Sequence, residues 1–293
     1  MSYLLHQILN GLSLGSVYAL IALGFAMVYG VLKLLNFAHS EVFTTATFIA
    51  YFATTCITDK FGDCPWLALG VALIAACAGA GVLAVLIERV AYRPLRGEPK
   101  VSVLLSAIGI SILLQNTGIQ VLGARTRGFP PVAVFVAPQY FAVILLVASF
   151  LFLWWLVHRT MIGIKMRAVA ENVEVVELMG VNPNTVVTLA FFFGGAFAGL
   201  AGVTWGVVYG TVHPQMGFAL GLKSFIIAVL GGIGSLTGTF VVGLALGLVE
   251  ALVAAYVPSE WSGFRDGIIL CVLLATLAKS PAGLFRSQGI LKV

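Results

Sequence analysis

Long apolar runs separated by short polar interruptions set the pattern of this chain. Runs of about 20 apolar residues, the length a helix needs to cross the hydrocarbon core of a bilayer, fall near residues 7–29, 66–87, 101–122, 139–157, 185–209 and 240–257, with shorter ones near 42–57 and 267–278. The pattern predicts an all-α integral membrane protein, a single transmembrane domain over residues 1–293 with about eight transmembrane helices. The interval 223–239 fits neither span nor loop, because residues 224–230 are apolar but too few to cross and GGIGSLTGT follows. It reads as a broken, re-entrant segment, a half-helix followed by a glycine-rich turn. Irregular backbone at membrane depth is tolerated only where protein or a water-filled cavity covers it, and transporters often build their pathways there.

The longest polar interval is RTMIGIKMRAVAENVEVVELMGVNP, residues 159–183. Within it, 169–180 predicts one amphipathic helix, with Val169, Val173, Val176 and Met179 on one face and Glu171, Glu174 and Glu177 mostly on another. Gly180 and Pro183 stop it. A short rigid helix of this kind suits docking to a soluble partner, and it equally matches an ordinary interfacial loop helix.

Composition agrees with the membrane reading. Hydrophobic residues make up 60% and charged residues 9%, against about 45–50% and 25% in soluble domains. A net charge of +5 does not point to nucleic acid, because the Lys and Arg residues sit in short loops between apolar runs. The positive-inside rule places eleven of the sixteen in the cytoplasm, including Arg89, Arg93, Arg96, Lys100, Arg159, Lys165 and Arg167, and leaves Lys60, Arg125, Arg127, Lys223 and Arg265 outside. This assignment puts the N-terminus outside and the C-terminus inside, and it requires 223–239 to return the chain to the inner side. The first run lacks a basic leading region and continues to about Tyr29, so it reads as a retained span rather than a removed signal. That run and 185–209 are rich in Gly, Ala and Ser, which predicts close helix packing inside the bundle.

Candidate chemistry is sparse. NFAHSE contributes Asn36, His39 and Glu41 beside a span, either as a cavity-lining broken-helix segment or as a plain cytoplasmic loop. Gly231, Gly232, Gly234 and Ser235 form the turn of the broken segment. Glu250 lies in LGLVEALVAAY, either as the buried partner of a polar group on another helix or snorkelling to the interface. Cys56 and Cys64 flank a short polar loop outside the cytoplasm, where a disulfide is chemically permitted, but spacing alone does not establish bridging geometry. No CxxC, HExxH or acidic cluster suggests a metal site. GLSLG imitates a nucleophile elbow but opens a membrane helix, and in GFALGLKS Leu222 separates the glycine from the lysine that a phosphate loop needs adjacent. The chain thus offers a conduit and a docking helix, with no covalent chemistry and no bound cofactor.

Three separated stretches, NGLSLGSVYALIALGFAMVYGVLKLLNFAHSEV at 10–42, RAVAENVEVVELMGVN at 167–182 and YGTVHPQMGFALGLKSFIIAVLGGIGSLTGTFVVGLALGLVEAL at 209–252, closely resemble the permease subunits of bacterial ABC importers for branched-chain amino acids. The resemblance covers essentially the whole chain and is to the LivH rather than the LivM type. It implies an inner-membrane, multi-pass transport subunit rather than an enzyme. The implied partners are a homologous LivM-like permease, two cytoplasmic ATPase subunits that bind ATP and Mg²⁺, and a periplasmic substrate-binding protein. It further implies that 171–180 is the coupling helix received by an ATPase subunit. Glu174 and Gly180 have the spacing of the E-A-A-x-x-x-G element, although Val175 and Val176 replace its alanines. Ser40 stands where relatives commonly have Gly. Similar permeases serve urea, short amides or aromatic acids, and a stand-alone secondary transporter or channel is the reading from a different class.

Overall fold

Helix accounts for nearly all of the computed structural model, which describes residues 2–34, 36–61, 64–132, 134, 136–232, 234–256, 264–279 and 283–285. In chain order these helices are α1 (Ser2–Leu32), α2 (His39–Phe61), α3 (Pro65–Ile87), α4 (Lys100–Leu122), α5 (Pro138–Arg159), α6 (Met161–Glu171), α7 (Val173–Leu178), α8 (Pro183–Tyr209), α9 (Met216–Leu230), α10 (Leu236–Tyr256) and α11 (Arg265–Lys279). Between α3 and α4 the chain passes through a π-helix, Glu88–Tyr92, and a 3₁₀ turn, Arg93–Leu95. Strands β1 (Arg127–Gly128) and β2 (Thr211–Val212) form one antiparallel pair.

Helices α1, α4, α5, α8 and α10, and α3 continued through the 3₁₀ turn, are long and apolar enough to cross a membrane. Each predicted span coincides with a helix, and most are extended by a few residues at one or both ends. The short run at 42–57 proves to be part of a 23-residue helix. Its threonines do not break it, because Thr44, Thr45, Thr47, Thr54 and Thr55 each donate a hydroxyl hydrogen bond to the carbonyl four residues earlier and so bring their own partner into the apolar region.

The segment expected at 223–239 is a 15-residue helix followed by a turn, and it begins earlier than expected. Helix α9 begins at Met216, and Lys223, expected in an outer loop, lies mid-helix and only 7% exposed. The helix can approach α2 because Gly217 and Gly221 face Ser40 with no side chain between, and the lysine charge is matched by carboxylates of α10 and α11.

α1 sits at the centre, with Val17 to Leu23 no more than 1% exposed. It packs antiparallel on α10: Gly11 faces Leu248, Gly15 faces Leu244, and Gly243 faces Ala19. An alanine Cβ at Gly15 would stand 2.9 Å from the Leu244 Cα, so these two backbones touch. Gly199 of α8 meets Ala76 of α3 in the same way, as the small-residue composition requires. The turn after α9 packs beside Gly30 near the end of α1, so α9 does return the chain to the side where α1 ends. The β1–β2 pair joins the α4–α5 and α8–α9 connections, placing both loops on one side, as the alternation of spans demands. Helices α4 and α5 keep much of their apolar surface outward, including Leu105, Leu113, Ile144 and Leu151.

Candidate functional site

Lys33, at φ 53°, ends α1 in a left-handed conformation, and the chain folds back along the helix it has just left. As a result α2 does not start beyond Leu32 but beside Gly24, two turns deeper. Glycine at 24 is what admits it: an added Cβ would lie 2.5 Å from His39 Nε2. The His39 ring then packs 4.5 Å from the Phe25 ring, centroid to centroid. Asn36, only 2% exposed, accepts a 3.0 Å hydrogen bond from the Tyr92 hydroxyl.

Between this folded-back stretch, α1 and α9 lies a cavity of about 240 Å³ lined by Phe25 and Tyr29 of α1, Asn36, Phe225 and Val229 of α9, and Gly234 of the following turn. Its walls are apolar. Phe225 closes one side, with its ring 6.2 Å from Phe25 and 5.4 Å from Phe37. Asn36 Nδ2, His39 Nε2 and Glu41 Oε1 are buried without a hydrogen-bond partner. An unsatisfied buried polar atom costs about 1–3 kcal/mol, and three of them fall within the six positions 36–41.

Of the residues read as pathway candidates, Asn36 and Gly234 line the cavity and His39 backs it through Phe25. Glu41 is buried but does not line it. Gly231, Gly232 and Ser235 instead build the turn: Gly232 has φ 94°, its carbonyl accepts from Ser235 N at 2.7 Å, and Ser235 Oγ accepts from Gly238 N to cap α10. Phe25, Tyr29 and Phe225 also line the cavity; in the sequence an aromatic at helical spacing looks like any core residue.

The polar interval 159–183 is helical but not one helix. Asn172 interrupts it, adopting an extended conformation and capping α7 by accepting from Glu174 N and Val175 N at 3.0 and 3.2 Å. The break corrects the predicted face. Val169 and Val176 are buried, whereas Val173 and Met179 point outward. Gly180, at φ 79°, closes α7, with Gly180 N bonded to Glu177 O and Val181 N to Val176 O, the paired bonds of a Schellman motif. The short helix is therefore pinned at both ends. It displays Glu174 and Glu177 together with Leu178 and Met179, the last two 89% and 77% exposed. Glu171 sits at the end of α6, also exposed, and none of these glutamates makes a salt bridge among the described residues.

Two buried ionic clusters complete the interior. Glu88, 0% exposed, pairs with Arg96 and accepts a 3.0 Å bond from Thr188. Glu250 does not snorkel; it pairs with Lys223 and accepts from Tyr18 at 2.9 Å. Cys56 and Cys64 are exposed free thiols. The basic residues Arg286 and Lys292 lie outside the described residues.

The family model for the branched-chain amino acid transport system / permease component matches residues 7–277. The high-affinity branched-chain amino acid transport system permease protein LivH of Salmonella typhimurium is 36% identical over 305 aligned positions, which cover 99% of this chain and 98% of the relative. LivH of Escherichia coli is 35% identical over the same coverage. The corresponding permease protein BraD of Pseudomonas aeruginosa is 36% identical over 303 positions, again 99% and 98% of the two chains. A match of this length and depth leaves no part of the helical bundle unaccounted for, and the chain belongs to the family of branched-chain amino acid transport system permease components.

Proposed function

We propose that this chain is one permease half of an ABC importer in a bacterial inner membrane, and that its solutes are branched-chain aliphatic amino acids. The carrying observation is the apolar cavity beside Asn36, about 240 Å³ and walled by Phe25, Tyr29, Phe225 and Val229. An aliphatic side chain fills such a space. The LivH and BraD relatives, branched-chain amino acid transport permeases matched over nearly their whole length, support the same solute class.

In this reading a homologous second permease completes the pathway, and a periplasmic binding protein delivers solute. Two cytoplasmic ATPase subunits hold ATP and Mg²⁺. Helix α7 is the coupling element: Leu178 and Met179 supply apolar contact, Glu174 and Glu177 supply charge, and the caps at Asn172 and Gly180 make it stiff enough to transmit a push. Movement of α7 rocks the permease pair between states open to opposite sides.

The test is reconstitution in proteoliposomes with the three partner types. Uptake of leucine, isoleucine or valine that requires ATP, and is lost in Glu174→Arg while the complex still assembles, is the expected result. Solute movement by this chain alone, without ATPase subunits, refutes the importer reading. ATP-driven uptake of urea, amides or aromatic acids in place of the aliphatic amino acids refutes the substrate assignment.

A further inference from the structure

The end of α3 joins the two halves of the proposed machinery. At Glu88 the helix widens into π geometry, which persists to Tyr92 before the Pro94-containing 3₁₀ turn. A π-turn is rare inside an α-helix and is frequently found at functional sites. This one carries a buried polar side chain at each end, Glu88 at 0% and Tyr92 at 1% exposure.

From Glu88 the contacts run toward α7. Arg96 pairs with Glu88 and also donates to Asn184 Oδ1. Asn184 is the second residue of α8, and its backbone N–H is held by the Asn182 side chain. Val181, which completes the Schellman bonds of α7, immediately precedes that cap. From Tyr92 the contacts run the other way: its hydroxyl bonds Asn36 Oδ1 at 3.0 Å, and Asn36 lines the cavity. A displacement of α7 pulls on the start of α8. Through Asn184, Arg96 and Glu88 it reaches the π-helix, and through Tyr92 it reaches the Asn36 amide in the cavity wall.

We infer that the π-helical segment Glu88–Tyr92 is a positioning element that couples α7 to Asn36 in the solute cavity, with Arg96 and Tyr92 as its two ends. This rests on the reading of α7 as the coupling helix and of the cavity as the solute site. The π geometry suits the role, since relaxing one turn toward α geometry shifts the downstream residues relative to α3 and swings Tyr92 away from Asn36.

The experiment compares wild type, Tyr92→Phe, Arg96→Lys and the double variant in the reconstituted complex, reading leucine transported per ATP hydrolysed alongside basal hydrolysis and complex yield. Tyr92→Phe keeps the ring that packs 5.2 Å from Phe191 and removes only the hydroxyl. Arg96→Lys keeps the charge but cannot hold Glu88 and Asn184 with one planar fork. The expected result is a fall of about fivefold or more in transport per ATP for each single variant, with yield and basal hydrolysis unchanged. The double variant should be no worse than the poorer single, because both cut the same connection. Unchanged coupling in Tyr92→Phe, or losses that multiply in the double variant, overturns the inference while leaving the importer reading intact. A wild-type complex that shows no coupling overturns both.

Discussion

Lys223 Nζ lies 2.8 Å from Glu250 Oε1, across the gap between α9 and α10. The same ammonium donates to Tyr18 of α1 at 3.2 Å and pairs with Asp266 of α11 at 2.9 Å, so one buried lysine ties four helices together. Breaking a buried pair by removing one partner costs about 3–5 kcal/mol, because the other charge is stranded. The Glu250 side chain is 16% exposed, which favours the lower end. Lys223→Met should therefore lower the thermal midpoint of the detergent-purified protein markedly, and Lys223→Met with Glu250→Gln should recover part of the loss. The Asp266 side chain, 76% exposed, belongs to the class of pairs worth about 0–1 kcal/mol. A shift from Asp266→Asn as large as that from Lys223→Met would contradict this division.

Backbone contact between α1 and α10 makes a second prediction. At Gly15 a new Cβ would meet the Leu244 Cα at 2.9 Å and the Leu244 carbonyl at 3.0 Å, neither of which can rotate aside. Gly15→Ala should cost about 1–3 kcal/mol, the usual penalty for overpacking. Gly70→Ala in α3 meets nothing within 4 Å and should be neutral or slightly stabilising through helix propensity. Thermal melts of the two variants side by side decide it; equal effects would mean that the α1–α10 contact is looser than described.

The caps of α7 are separable from its surface. Asn172→Ala removes both side-chain bonds to Glu174 N and Val175 N and should cost the short helix about 1 kcal/mol. Gly180→Ala places a Cβ at φ 79° and should cost about 1–2 kcal/mol. Hydrogen exchange should accelerate in residues 173–178 for both variants while α1 and α8 keep their protection. Acceleration spread over the whole bundle would show that the caps support more than α7.

The spans were legible because lipid imposes a length on apolar runs, and each run found its helix. Asn172 shows where the pattern fails: an apolar period ran through it, yet its side chain satisfies backbone donors better as a cap than inside a helix, so the face turned and Val173 and Met179 came out. Lys223 failed for a different reason. Hydropathy treats a lysine as a loop residue, and nothing local tells that Glu250 and Asp266, 27 and 43 positions away, neutralise it. Asn36 was recognised by polarity at the edge of a span, whereas Phe225 carried no such mark and became visible only once α9 was laid against α1.

Phe225 sets the last prediction. Its ring walls the cavity and is held edge-on by Phe25 and against Phe37, so the space left beside Asn36 is limited by a side chain rather than by backbone. Replacing it with alanine deepens the cavity by most of an aromatic ring, and an aliphatic solute then leaves part of it empty. One methylene in an apolar pocket is worth about 1–3 kcal/mol of discrimination. Phe225→Ala should therefore shift preference from leucine toward phenylalanine by at least about tenfold in competitive uptake. On the adjoining turn, Ala228 also faces the cavity, and Ala228→Phe should fill it. That variant should abolish leucine uptake while the complex still assembles and hydrolyses ATP at its basal rate. Unaltered selectivity in Phe225→Ala together with normal uptake in Ala228→Phe would place the solute path elsewhere in the bundle, because no solute passing beside Asn36 could be indifferent to both walls.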